Sequence, residues 1–441
     1  MEKKPYEDKV NKNMCGLWKT IRRTLRDPKR LRRAMIEKMP NVIHAGNRAV
    51  ATRVKEWDGE YFKKTFENTD IGKSCFEREM EADRLFGTRS WKPPIKDKGP
   101  LWFTTPLYPE EKRLDIAAAG LDQSTKIEIA RQAISILFDI FFAGYAHRDF
   151  QSKNLFWIDQ QLILIDYECL EPYLEGKRPP FILSYDITGE GLESPFKTGK
   201  MCYTCEKRHG VSLQCTLGIP AEQAIEEFRK ELKNRLREAC LTFATGQTRH
   251  TCKAERIYSS FELPYFRVTP DETQRDSSIR FEDFGITEEN IRGKSVLDFG
   301  SNAGGTLFAL QKYNPARCLG IEYDSDKVLI AQQMAAYNGL NNVRFIQGDI
   351  DLTSVQDLGG PHNVVFCLAV EAHVKNPKKL FELLSQVTAE VLFFEGNSTT
   401  NPKKAKKALA EAGFRDVRIL GTSRDDVLPS NNCRPLLIAT K

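Results

Sequence analysis

No stretch of about 18 uncharged apolar residues occurs in this 441-residue chain, so a membrane-spanning helix is not expected. The opening segment, Met1–Lys12, also lacks the apolar core of a secretory signal. The eleven cysteines are scattered and odd in number; they form no evident disulfide framework and fit reduced thiols in a cytoplasmic protein. No internal repeat is visible. A net excess of one charge sign is scarce beyond the first 38 residues. Of the net +6, that segment holds 13 Lys or Arg against five Asp or Glu, so the remainder is slightly acidic. Charge alone therefore points away from nucleic acid as a partner. With 41% hydrophobic and 29% charged residues, the length suits two soluble domains with separate cores.

Four regions follow from the pattern: a basic helical arm over residues 1–40, a domain over 41–250, a linker over 251–265 and a second domain over 266–441. In the arm, Leu17, Trp18, Ile21 and Leu25 recur at helical spacing, and Asp27-Pro28 opens a second short helix. Residues 14–38 fit either a surface helix at an anionic membrane or a helix packed on the adjacent domain with a solvated basic face. β-like runs at Val42–His44, Ala49–Val54 and Glu60–Phe66 surround an Asp58-Gly59 hairpin turn. Helices are expected over Cys75–Phe86, Ile127–Phe142 and Ala221–Phe243, with strands at Leu101–Thr105, Asn154–Ile158 and Leu162–Ile165. From Gly293 onward, β-like and helical runs alternate, as in a doubly wound α/β sheet.

The strongest local signal is His147-Arg148-Asp149-Phe150-Gln151-Ser152-Lys153-Asn154, followed by an apolar run ending in Asp166-Tyr167-Glu168. Phosphoryl transfer needs a carboxylate by the attacking hydroxyl and oxygen ligands that hold Mg²⁺ against phosphates. Asp149 suits the first role, and Asn154 with Asp166 the second. The order resembles the catalytic and metal loops of the protein-kinase-like superfamily, and is more similar to sugar and small-molecule kinases, including aminoglycoside, choline and lipopolysaccharide-core kinases. That resemblance implies an α+β bilobal kinase-like domain using ATP and Mg²⁺. It also implies a strand lysine, Lys63 or, one position on, Lys64, paired with an acid among Glu77, Glu79 and Glu81, of which Glu79 fits best. Thr104–Tyr108 would face adenine. Where several glycines are usual over the phosphates, only Gly46 stands here. Asp186 would brace or orient the acceptor surface. Cys202, Cys205, His209 and Cys215 fit free thiols better than zinc, because a second tight cysteine pair is missing.

The second half carries Val296-Leu297-Asp298-Phe299-Gly300-Ser301-Asn302-Ala303-Gly304-Gly305, a strand ending in an acid and a glycine-rich turn. Acids end the next two strands at Glu322 and Asp349. The series resembles class I S-adenosylmethionine-dependent methyltransferases across roughly Phe266–Lys441, implying an α/β doubly wound, Rossmann-like domain. The cofactor would lie on Asp298, Gly300, Asn302 and Gly304, with Glu322 at the ribose and Asp349 at the adenine amine. His373 is a candidate base or a packing histidine, Glu395 and Asn397 candidate pocket residues, and the segment Arg275–Arg280 a candidate source of a lid arginine. The pairing of the two domains is similar to bifunctional enzymes that cap bacterial O-antigen, with the domain order reversed. It implies phosphorylation and then methylation of a cell-envelope sugar or glycolipid, close to the inner face of the membrane. The alternative is a methyltransferase whose kinase-like half only regulates or binds the acceptor.

Overall fold

The computed structural model describes residues 41–45, 48–173, 221–245, 248–264 and 266–441. The basic arm, Gly46, Asp186 and the Cys202–Cys215 group lie outside the described residues. The chain divides into two compact units, one covering the described residues through Glu171, the other covering Glu222–Lys441. Among the described residues, no helix is long and apolar enough to cross a membrane.

The first unit opens with an antiparallel sheet of β1 (Val42–Ala45), β2 (Ala49–Glu56), β3 (Gly59–Phe66), β4 (Asp97–Gly99) and β5 (Trp102–Pro106), ordered β1-β2-β3-β5-β4. Between β3 and β4 runs helix α1 (Asp70–Phe86), started by the Thr69 hydroxyl accepting from the Gly72 N–H at 3.1 Å. Its inward face is Cys75, Glu79, Ala82 and Phe86, a helical spacing that packs Phe76 edge-on to Phe66 at 5.6 Å. Helix α2 (Gln123–Phe142) starts one turn earlier than hydrophobicity predicts, because Asp122 caps it through the Thr125 N–H. The hairpin β6 (Leu155–Ile158) and β7 (Gln161–Leu164) follows.

The second unit begins with helix α3 (Ala221–Cys240), which buries Leu232, Leu236 and Cys240 along one stripe. The expectation that this helix closes the first domain is corrected: it is grouped with the C-terminal unit and ends at Cys240, where the hairpin β8 (Thr242–Thr245) and β9 (Thr248–Thr251) begins. Nor is 251–265 a simple linker, since Ile257–Ser259 and Phe261–Leu263 are strands paired with Thr273–Arg275 and Phe266–Val268. Alternation buries Phe261, Leu263, Phe266 and Val268, which is why this stretch joins the core.

The main sheet has seven strands: β10 (Ser295–Phe299), β11 (Arg317–Glu322), β12 (Val343–Gln347), β13 (His362–Leu368), β14 (Thr388–Glu395), β15 (Asp416–Thr422) and β16 (Pro435–Thr440). Their order is β12-β11-β10-β13-β14-β16-β15, with β10 to β14 parallel and β16 antiparallel to both neighbours. All five residues of β10 are buried, as expected for a central strand covered on both faces. The order reverses between β10 and β13, and in open α/β sheets ligands bind outside the carboxyl ends of the strands at that point.

Candidate functional site

In the first unit, the side chain that turns inward from β3 is Lys64, not the expected Lys63. Strand alternation places Lys64 on the buried face with Phe66, while Lys63 lies with its ammonium 3.9 Å from the centre of the Trp102 ring. Lys64 Nζ meets Glu79 Oε1 and Asp166 Oδ1 at 2.7 Å each, and Glu168 Oε1 at 2.9 Å. Helical phase decides between the acids: Glu79 is buried, Glu77 is exposed, and Glu81 is held by Arg84 and the Tyr145 hydroxyl. Burial alone would lower the Lys64 pKa, yet the three carboxylates outweigh it and hold the ammonium well above its usual range. Burial pushes Glu79 up against the pull of Lys64.

Asp149 and Asn154 share one loop edge. Asn154 Nδ2 donates to Asp149 Oδ2 and to its carbonyl, both at 2.9 Å, and Gln151 Nε2 donates to both carboxylate oxygens at 3.1 Å. Asp166 sits in the left-handed region at φ 66°, as does Arg148 at 64°. Asp149, Asp166, Lys64 and Glu79 line one cavity of about 1160 Å³, bordered by Thr105–Tyr108. Asn154 is not among its lining residues, although it buttresses Asp149. Glu168 is the member of this cluster that the motif did not single out; its place two residues after Asp166 was the available signal.

In the second unit, the glycine-rich turn after β10 is tightly built. Gly300 and Gly304 have φ of 68° and 84°, and Asn302 joins them at 49°. The Asn302 side chain turns onto its own loop, where Oδ1 accepts from the Ala303 N–H at 2.7 Å and from the Cys240 thiol at 3.9 Å. Glu322 is anchored by backbone: Oε2 accepts from Asn302 N–H at 2.8 Å, and Oε1 from Tyr323 and Asp324 N–H at 2.8 and 3.0 Å. One carboxylate thereby ties the first strand's turn to the end of the second. Asp349 ends the third strand and accepts from the Asp351 N–H at 2.9 Å. His373 lies on a short turn after β13, its ring 6.5 Å from that of Phe243. Burial lowers its pKa, Arg434 adds to that, and Glu322 opposes it.

Arg275 is not a lid residue. Its side chain is fully buried and meets Asp425 Oδ1 at 2.9 Å, Asp426 Oδ2 at 3.0 Å and Glu395 Oε1 at 3.1 Å. Glu395, expected at an acceptor pocket, is instead in this buried network with Arg280 and Arg434. Asn397 braces the neighbouring segment, accepting from Ala372 N–H and donating to the Ala369 carbonyl.

Asp298 is buried, and burial pushes its carboxyl up to about 8, with Arg280 pulling it down and Glu322 adding to the rise. Between the ordinary value of 3.8 and about 8, the folded protein therefore holds one proton more than the unfolded chain. The stability contributed by this group is fully present below that range and is lost as pH rises through it. Asp298→Asn, neutral throughout, is expected to gain on the wild type by more than about 1 kcal/mol between pH 5 and pH 8, read from urea midpoints. Parallel pH curves for the two proteins would rule this out.

Comparison with known proteins bears on the second unit. A methyltransferase-domain family model matches residues 291–413. The chain is 29% identical over 143 residues to ribosomal protein L11 methyltransferase of Deinococcus radiodurans, covering 30% of this chain and 50% of that protein. It is 24% identical over 166 residues to release factor glutamine methyltransferase of Aliivibrio fischeri, covering 37% and 55%. The chain thus spans about half the length of these curated relatives. Among solved structures, the N-terminal domain of EvdMO1 with SAH bound matches at 17% identity and a TM-score of 0.32, covering 48% of this chain and 96% of that one. Magnesium protoporphyrin IX methyltransferase from Synechocystis PCC 6803 matches at 18% identity and a TM-score of 0.30, covering 37% and 78%. Residues 291–413 of the second unit thus match a methyltransferase-domain model, and they lie on a doubly wound, Rossmann-like parallel sheet.

Proposed function

We propose that the chain is an S-adenosylmethionine-dependent methyltransferase whose first unit binds a nucleotide or presents the acceptor. The observation that carries this reading is the turn from Gly300 to Gly305, which leaves β10 where the strand order reverses and lies beside the carboxylates of Asp298 and Glu322. The turn is packed closely on its own neighbours: a Cβ on Gly300 would come within 2.9 Å of Val370, and one on Gly304 within 2.6 Å of Phe345, so glycine is required at both positions to keep this turn. In this reading Gly300, Asn302 and Gly304 border the amino-acid end of the cofactor, with Asp298 at the head of the turn. Glu322 receives the ribose hydroxyls and Asp349 the adenine amine. When bound, the cofactor supplies an electrophilic methyl group on a sulfonium sulfur. His373, neutral at pH 7 because its pKa is lowered, takes the proton from the acceptor hydroxyl. The matched relatives are named for a ribosomal protein and a release factor; for this chain the acceptor we propose is a sugar or glycolipid.

A second reading adds phosphoryl transfer in the first unit, and one observation favours it. Glu79, Asp166 and Glu168 converge within 3 Å of the Lys64 ammonium on a cavity that Asp149 also lines. Three carboxylates around a single lysine leave surplus negative charge, which fits a divalent cation beside Asp166 and Glu168. Asp149 would then steer a hydroxyl of the acceptor toward the γ-phosphate of ATP. Residues 14–38 would hold the protein at anionic lipid.

Mass spectrometry of envelope glycan and lipid extracts, incubated with the protein, ATP-Mg²⁺ and labelled S-adenosylmethionine, separates these readings. A methyl gain alone is the expected result for the first. Phosphate plus methyl on one molecule, with Asp149→Ala lowering ATP turnover roughly 10²- to 10⁴-fold, is expected for the second. Protein that neither binds nor consumes S-adenosylmethionine would sink both.

A further inference from the structure

We infer that the β8–β9 hairpin supplies an aromatic face to the methyl-donor pocket, on which Phe243 and His250 favour a sulfonium cation over the neutral thioether left after transfer. The inference rests on the methyltransferase reading above and concerns a segment that the family match, residues 291–413, does not include.

The register of the hairpin sets Phe243 directly opposite His250, and their rings stack with centroids 5.0 Å apart at 27°. Alternation places both on one face of the ribbon, with Thr242 and Arg249 on the other. That other face is fastened down. Arg249 Nη2 meets Asp324 at 3.0 Å and Asp326 at 2.6 Å, and Nη1 donates to the Thr242 hydroxyl at 2.8 Å. Lys327, buried although charged, donates to the Thr242 carbonyl and pairs with Asp324 at 3.2 Å. Immediately before the hairpin, the Cys240 thiol reaches Asn302.

The ribbon is thus tied to two of the segments that frame the proposed donor site, the glycine-rich turn at Asn302 and the residues just after Glu322. It reaches a third through Phe243, whose ring lies 6.5 Å from His373 at 73°. Phe243 is only half-buried, and its ring gathers with those of His250 and His373.

The negative face of an aromatic ring attracts a cation and is indifferent to a neutral sulfur. In methyl transfer, an acceptor lone pair forms the new bond to carbon, the carbon–sulfur bond breaks, and its electron pair stays on sulfur. The acceptor proton leaves to a base, and the sulfur changes from positive to neutral. A ring face at that sulfur holds the donor and loses its attraction for the spent cofactor, which assists product release.

The test is calorimetric titration of the full chain at pH 8, where an ordinary imidazole is neutral. The ligands are S-adenosylmethionine and S-adenosylhomocysteine. Phe243→Leu is expected to weaken the first by roughly 2- to 30-fold and to leave the second unchanged. Phe243→Tyr keeps the wild-type preference. His250→Leu, at an exposed position that does not threaten folding, shifts the preference in the same direction as Phe243→Leu. Equal weakening of both ligands, or no change in their ratio in His250→Leu, overturns the inference while leaving the methyltransferase reading in place. Wild-type protein that binds neither ligand removes that reading and the inference with it.

Discussion

Arg275→Met is expected to destabilise the C-terminal unit by about 3–5 kcal/mol. Three arginines and three acids, Arg275, Arg280 and Arg434 with Glu395, Asp425 and Asp426, balance to zero charge in the interior. Arg275 is the member that touches all three acids, at 2.9 to 3.1 Å. Methionine retains much of the side-chain bulk and removes the charge, so two arginines would face three buried carboxylates, and one negative charge would stand uncompensated far from water. The surrounding contacts narrow the escape routes: Asp426 also accepts hydrogen bonds from Gln274 Nε2 and Asn431 Nδ2, and Arg280 is already ion-paired with Asp425 at 2.8 Å. Chemical denaturation of the full chain measures the loss. Adding Asp426→Asn to Arg275→Met restores neutrality and should recover part of it. A loss below about 1 kcal/mol for the single variant would mean that the network is solvated and that its geometry carries little energy.

Gly304→Ala should remove donor binding with only one added methyl group. At φ 84° an alanine is strained by about 1–3 kcal/mol, and its Cβ would lie 2.6 Å from Phe345 Cζ and 2.8 Å from Phe308 Cε2. Neither ring can step aside cheaply, because both are buried and pack edge to face with centroids 5.4 Å apart. The turn must therefore shift, and with it the Asn302 N–H that Glu322 accepts. A combined cost of about 2–4 kcal/mol corresponds to roughly 30- to 1000-fold weaker binding of S-adenosylmethionine in a titration. Retained affinity within threefold would show that the glycine turn does not border the cofactor. Gly285→Ala is a useful contrast: its φ of 65° carries similar backbone strain, but its Cβ would meet nothing within 4 Å, so donor affinity should stay unchanged.

Much of this molecule was legible in one dimension. The spans of β10, β11 and β12 follow from short apolar runs closed by turn residues, and the acids at Asp298, Glu322 and Asp349 fall at strand ends because strand length and turn chemistry are local properties. The same holds for the Asp149–Asn154 loop and for Asp166 after an apolar strand. What the sequence left open was direction. Lys63 and Lys64 are chemically equal neighbours, and only the packing of Phe66 on α1 decides that Lys64 turns inward. Glu79 is separated from Glu77 and Glu81 by helical phase, which becomes decisive once the buried stripe of α1 is known.

What the sequence alone determined, then, is the succession of elements and the chemical type at each strand end, because both depend on neighbours within a few residues. The tertiary structure decided which charges meet. Arg275 finds Glu395 across 120 residues and Asp425 across 150, and Cys240 reaches Asn302 across 62. Local propensity carries no information about such partners; they are selected by the burial of a charge that must be neutralised where the chain returns. The hairpin from Thr242 to Thr251 joins the C-terminal unit through Arg249, which pairs with Asp324, and through Lys327, which donates to the Thr242 carbonyl.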